Sequence, residues 1–217
     1  MMMNLFSVFD PATGNMSLNW LSMMLMIFMP QPFWNLHSKI INLMVLVMKA
    51  LSKEVIMHTK KKEPSIMLVS MFMLILINNL MGLTPYVFTA SAHLVFSMSF
   101  ALSMWLSMML YGWIYKYNEM FIHLVPIGTP SFLMPFMVLI ETISNFIRPG
   151  SLAVRLSANM IAGHLLMSLL GNNLCSNLTM MMLMMWLFAI LMLFEVAVAF
   201  IQAYVFMTLT TLYYSEI

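Results

Sequence analysis

The sequence predicts an all-α integral membrane protein with about five membrane-crossing helices and one interfacial amphipathic helix. The last two crossings are expected to form a long, steeply tilted helical hairpin. Three observations lead there. Of the 217 residues, 63% are hydrophobic and 7% charged, with a mean hydropathy of +0.95, whereas a soluble domain is about 25% charged because it must cover its core with solvated surface. Uncharged apolar runs recur near the roughly 20 residues that cross a hydrocarbon core of about 30 Å at 1.5 Å per residue. One further stretch carries its charges on a single helix face. The chain, 1–217, reads as a single membrane domain.

The first crossing is expected over 16–34, running from Met16 to Pro30 with Phe33 and Trp34 as interface aromatics. The interfacial helix follows over 35–63. Its polar residues Lys39, Asn42, Lys49, Lys53 and Lys60 fall at spacings of 3, 7, 4 and 7, which keeps them on one face. Ile40, Ile41, Met44, Val47 and Met48 crowd the other, the pattern of a helix lying in the interface. This segment holds six of the nine Lys and Arg, so the positive-inside rule assigns it to the cytoplasmic or matrix side. Five crossings then leave the N-terminus outside and the C-terminus inside, and Lys116, in the 115–130 loop, agrees with that count.

A second crossing is expected over 65–83, after Pro64 and before Thr84-Pro85. The third covers 91–115, where Ser99, Ser103 and Ser107 recur every four residues. Small residues at that spacing let helices approach closely in lipid; a polar pathway is the competing reading. The fourth and fifth, 131–170 and 178–214, would be helices of about 55 to 60 Å, too long to cross perpendicularly. They must tilt, kink or break, and Pro135 and Pro149-Gly150 offer kink points. The polar stretch Gly171 to Thr179 between them reads as the turn.

Composition also excludes. A net charge of +2 and the lack of a basic patch interleaved with aromatics leave no surface for nucleic acid. A single cysteine, Cys175, forms no internal disulfide, and no Cys/His spacing signals a metal; no cofactor or metal is expected. Methionine, at 31 residues, exceeds anything packing requires. It fits a genome that reads an extra isoleucine codon as methionine, as animal mitochondria do, so mitochondrial encoding is expected. The first residues show neither a cleavable signal nor an Arg-rich presequence.

All but three charged residues lie in loops, termini, the interfacial helix or at a membrane edge. The exceptions are Arg148, Arg155 and Glu195, joined by the titratable His164. Ionisable groups within spans are costly and mark ion paths or proton relays; a static Arg-Glu pair tying two helices is the alternative. Arg155 and Asn159 are four apart and share a face, Glu141 and Arg148 lie near the same stripe, and Glu195 and Gln202 are seven apart. If the hairpin folds about Cys175, Arg155 and Glu195 lie at similar depth, and Arg155, Asn159, His164, Glu195 and Gln202 form a polar seam. That assortment suits proton handling better than a clamp.

The stretch PSFLMPFMVLIETISNFIRPGSLAVRLSANMIAGHLL, Pro130 to Leu166, resembles the signature of subunit a of the F-type ATP synthase in its animal mitochondrial form. NNLMGLTPYVFT, Asn78 to Thr89, resembles a second segment of the same family. The resemblance implies a multi-pass stator subunit of the mitochondrial inner membrane that offers two proton half-channels to a rotating c-ring. Its other partners would be peripheral-stalk and small accessory membrane subunits, the lipid bilayer, protons and water. It assigns Arg155 to face the ring carboxylates, Asn159 and Gln202 to its vicinity, His164 and Glu195 to the outer half-channel, and Glu141 to the inner path. ATP chemistry would lie elsewhere, since no Gly-x-x-x-x-Gly-Lys-Ser/Thr loop is present.

Other classes explain less. A haem or copper oxidoreductase needs His pairs at ligand spacing, and His93, His123 and His164 are isolated. A secondary transporter would show related halves. A structural or transport subunit of another mitochondrial inner-membrane complex accounts for the apolarity but not for the seam.

Overall fold

Long apolar runs with few helix breakers fold as helices, and the computed structural model, which describes residues 5–28, 38–125, 128, 130–174 and 178–216, is helical throughout its regular structure. Four helices among the described residues are long and apolar enough to cross a membrane: Glu63–Gly82, Leu94–Tyr115, Met134–Asn172 and Met184–Glu216. The expected first crossing coincides with a 3-10 helix over Leu18–Phe28 of 11 residues; residues 29–37 lie outside the described part. Another 3-10 turn, Leu5–Phe9, precedes it.

Helix α1, Lys39–Thr59, is the amphipathic segment. Ser38 caps it by accepting a hydrogen bond from the Ile41 backbone N–H, and Lys60 closes it in the left-handed region at φ 56°. Leu51, Val55 and Thr59 share its buried face, while Lys39, Asn42, Lys49, Lys53 and Lys60 are exposed on the far side. The chain turns through Lys60 to Lys62 into α2, Glu63–Gly82, with Pro64 in the first turn where its missing N–H costs nothing. α1 packs on α2 and on the last helix, whose Tyr204 hydroxyl donates a 2.5 Å hydrogen bond to Glu54 of α1.

Helix α3, Leu94–Tyr115, buries Phe96, Ser97, Ala101, Met104, Met108 and Gly112. The serine stripe is not its packing face. Ser99, Ser103 and Ser107 are exposed, and each donates its hydroxyl to the carbonyl three residues earlier at 2.7 to 3.1 Å. A serine satisfied by its own helix can face lipid. A short helix α4, Tyr117–His123, occupies the expected loop.

The hairpin is formed by α5, Met134–Leu174, and α6, Leu178–Glu216. At 41 and 39 residues they run about 62 and 58 Å, twice a hydrocarbon core of about 30 Å. Pro135 starts α5 rather than bending it, and α5 continues through Pro149 without a break in the assignment. Gly171 to Leu174 are helical, so only part of the polar stretch connects the two helices; residues 175–177 lie outside the described part. Small residues let the helices close: Ala153, Ala199 and Ala203 are fully buried. The core they join runs through Phe72 and Ile75 of α2, Met104 of α3 and Phe206 and Met207 of α6.

Candidate functional site

The site grows from the α5/α6 contact. Gly163 of α5 stands directly against Glu195 of α6: a Cβ built on Gly163 would lie 2.8 Å from the Glu195 carboxyl carbon and Oε1. Glu195 is buried, 8% exposed, and both its oxygens lack a protein hydrogen-bond partner among the described residues. They border a cavity of ≈ 570 Å³ between the helices whose lining includes Asn159, Gly163 and Gln202, and Leu83 from the end of α2. Such a space is large enough to admit water at about 30 Å³ per molecule, and the polar atoms there would cost about 1–3 kcal/mol apiece if left dry.

Gln202 also lines a small crevice with Arg155, so it bridges the Arg155 and Glu195 neighbourhoods. Arg155 and Glu195 themselves are not paired among the described residues, and they are not level. Gly163 and Glu195 are equidistant from position 179, not from Cys175. Arg155 therefore sits eight residues, about 12 Å of helix rise, from the level of Glu195. It is exposed in the middle of α5, and no carboxylate among the described residues bonds to it.

His164 departs from the expected seam. Its half-buried ring meets Phe9 edge-on, with centroids 6.2 Å apart, its Nε2 has no hydrogen-bond partner among the described residues, and it does not border the Glu195 cavity. Glu141 lies toward the other end of α5, 3.6 Å from Arg148 Nη2. Arg148 also pairs with Glu216 at the end of α6 and lies over the Tyr213 ring at 5.1 Å. The sequence left Glu216 and Gly163 unmarked; it marked Arg148 as a charge within a span on the Glu141 stripe, but not its pairing with Glu216.

It also missed a second polar group. Asn79, Thr89 and Ser91 are essentially inaccessible, Asn78 is buried, and each has a side-chain polar atom with no hydrogen-bond partner among the described residues, as does His93. Gly82 makes this packing possible, because a Cβ there would lie 2.8 Å from Thr89 Cγ2. The Asn78-Asn79 pair inside an apolar run was the available signal.

A polytopic helical membrane protein with ionisable and polar groups spread along a long apolar hairpin fits the ion-translocating class. Residues 16–215 match the family model described as ATP synthase A chain. The chain is 52% identical to ATP synthase subunit a of Locusta migratoria, 51% to that of Anopheles gambiae and 52% to that of Drosophila melanogaster, with 100% of both chains covered in each case. The chain belongs to the ATP synthase subunit a family, the proton-translocating subunit of the synthase membrane sector. Nothing in these comparisons favours a structural or transport subunit of another complex.

The Gly163 contact yields an expected result. Gly163→Ala forces the Glu195 carboxyl aside and lowers proton transport per assembled complex severalfold, read as ATP-driven acidification normalised to complex content. Adding Glu195→Asp, whose shorter side chain withdraws from the new methyl, recovers part of it. Transport at the parent rate in Gly163→Ala would remove the contact from the mechanism.

Proposed function

We propose that the chain provides two offset half-channels to a rotating c-ring, with Arg155 as the barrier between them. The carrying observation is Arg155 itself: a permanently charged side chain, exposed in the middle of α5, with no carboxylate partner among the described residues. A charge so placed is costly in lipid unless another subunit supplies the partner, and a ring carboxylate meets that need.

On the outer side, protons enter through the orphaned polar group at Asn78, Asn79, Thr89, Ser91 and His93, and reach Glu195 by way of the cavity that Leu83, Asn159 and Gln202 help to line. His164 serves this entrance from the Phe9 side. Glu195 hands the proton to a ring carboxylate, which becomes neutral and turns into lipid without the cost of a buried charge. After most of a revolution the proton is released toward Glu141. Arg155 favours the ionised ring carboxylate and repels a proton hopping straight through.

The lysine-rich end, where α1 meets the ends of α3 and α6, faces the matrix of the mitochondrial inner membrane by the positive-inside rule. Peripheral-stalk and accessory subunits contact the remaining apolar surface, and the methionine content supports mitochondrial encoding.

Substituted-cysteine labelling tests the two-channel reading in a Cys175→Ser background. A small charged thiol reagent is expected to reach cysteines at Asn79 and Asn159 from the outer side only. It should reach cysteines at Glu141, Lys49 and Lys60 from the matrix side only. Labelling of position 159 from the matrix, or of positions 49 and 60 from outside, overturns the arrangement.

A further inference from the structure

At the lysine-rich edge the ends of α1, α3 and α6 converge on a cavity of ≈ 250 Å³. His58, Lys60 and Lys61 line it from the end of α1, Tyr111 and Lys116 from the end of α3, and Tyr214 from α6. The Thr59 hydroxyl fixes the turn that presents the first two lysines, lying 2.9 Å from the Val55 carbonyl and 3.0 Å from that of Lys61. Lys60 takes the left-handed conformation in that turn, at φ 56°. Lys61 lies over the Tyr111 ring at 5.9 Å, which ties the α1 side of the cavity to α3. No carboxylate lines the cavity among the described residues. Glu119 pairs with Lys116 at 3.1 Å but does not line it, and Glu216, next to Ser215 in the chain, is taken by Arg148. The carbonyl ends of the three helices supply about half a negative charge each, spread over the rim, and so place no full anion inside. Lysines that only satisfy the positive-inside rule need do no more than face water. These instead gather from two helices around one space, a repulsive arrangement that an anion between them reverses.

We propose that this cavity binds a phosphate group, carried by an anionic lipid headgroup or by free inorganic phosphate. Its volume equals that of roughly eight waters at about 30 Å³ each, room for one phosphate with part of its hydration. The phosphate oxygens accept charge-assisted hydrogen bonds from the Lys60, Lys61 and Lys116 ammonium groups, and the Tyr111 and Tyr214 hydroxyls are neutral donors for the oxygens that remain. A basic pocket between membrane helices on the positive side is the setting in which phosphate-bearing headgroups bind. Met57, beside His58 in the chain, and Ile114, one turn beyond Tyr111 on α3, are exposed and apolar, which suits the chains of a lipid. Bound there, the phosphate joins the ends of α1 and α3 to the end of α6, and so steadies one arm of the hairpin from a point outside the proton path.

The test uses the whole synthase in non-ionic detergent, depleted of phospholipid, with lysine acetylation followed site by site by mass spectrometry. The probes are dihexanoyl phosphatidic acid, dihexanoyl phosphatidylcholine and inorganic phosphate. Phosphatidic acid is expected to slow acetylation of Lys60, Lys61 and Lys116 severalfold. Lys39 and Lys49, on the exposed stripe of α1, should react at an unchanged rate, and phosphatidylcholine should protect none of the five. If inorganic phosphate protects the same three lysines at equal concentration, the ligand is free phosphate; if only phosphatidic acid does, it is the lipid headgroup. In Lys60→Gln/Lys61→Gln the protection of Lys116 should vanish, whereas Lys60→Arg/Lys61→Arg should keep it, because guanidinium groups also fork onto phosphate oxygens. Equal protection of Lys39 and Lys49 is what a diffuse positive surface would give, and it overturns the site. So does a lack of protection by both phosphatidic acid and inorganic phosphate, or protection of Lys116 that persists in the glutamine variant. Lys60 and Lys61 that resist acetylation before any probe is added overturn it too, since another subunit then fills the cavity. Should the glutamine variant fail to assemble, the parent pattern and the arginine variant decide.

Discussion

Arg155→Ala is expected to abolish ATP-coupled proton transport while leaving the complex assembled. Arg155 makes no ion pair with a described residue of its own chain and is exposed on α5, so its removal leaves no buried carboxylate stranded inside the subunit. Arg148 is the contrast: Glu141, Glu216 and Tyr213 surround it, and its loss would loosen the hairpin's open end. The alanine variant should also leak, because a proton can then pass between half-channels without a turn of the ring. Arg155→Lys should fail as well: an ammonium lacks the broad planar fork and loses its proton more readily when desolvated. Proton conductance and ATP synthesis, measured on the same vesicles and normalised to assembled complex, check both outcomes. Normal synthesis in Arg155→Ala removes the residue from the mechanism; loss of assembly returns it to a structural role.

The hairpin was legible because two apolar runs of about twice a crossing's length flank a polar stretch. Its register was not. Arg155 and Glu195 are symmetric about Cys175, but α5 continues as helix through Gly171 to Leu174, and the contact of Gly163 with Glu195 sets the level instead. Helix propensity alone does not say where a polar end stops being helix. The serine stripe failed for a related reason, since hydroxyls bonded to their own helix give no preference between lipid and a neighbour. Pro135 reads alike as a kink or a first-turn residue until the start of α5 is known. The second set of polar residues was hidden because Asn78-Asn79 and Thr89, Ser91 and His93 lie on either side of a turn, and only the structure shows the close approach of Gly82 to Thr89.

That register sharpens the second large effect, Glu195→Gln. A strut against Arg155 would need the two side chains in contact, but they are separated by about two turns of α5. Glu195 instead presents a buried carboxyl, without a hydrogen-bond partner among the described residues, to a cavity that Asn159 and Gln202 also line. The carboxamide keeps the volume and can fill the same space against Gly163, so the hairpin and the complex should assemble normally. What it removes is the ability to bind and release a proton. Transport per assembled complex is therefore expected to fall by about a hundredfold, the scale of losing a positioned general acid-base group. Glu195→Asp should recover part of the rate, because its carboxyl still titrates but stands back from the Gly163 contact. The measurement is ATP-driven acidification beside passive proton conductance in vesicles of matched complex content. Assembled Glu195→Gln complexes that pump at the parent rate across the accessible pH range would rule out a relay at this position, and the outer path would then have to reach the ring along the Asn159 and Gln202 side of the cavity alone.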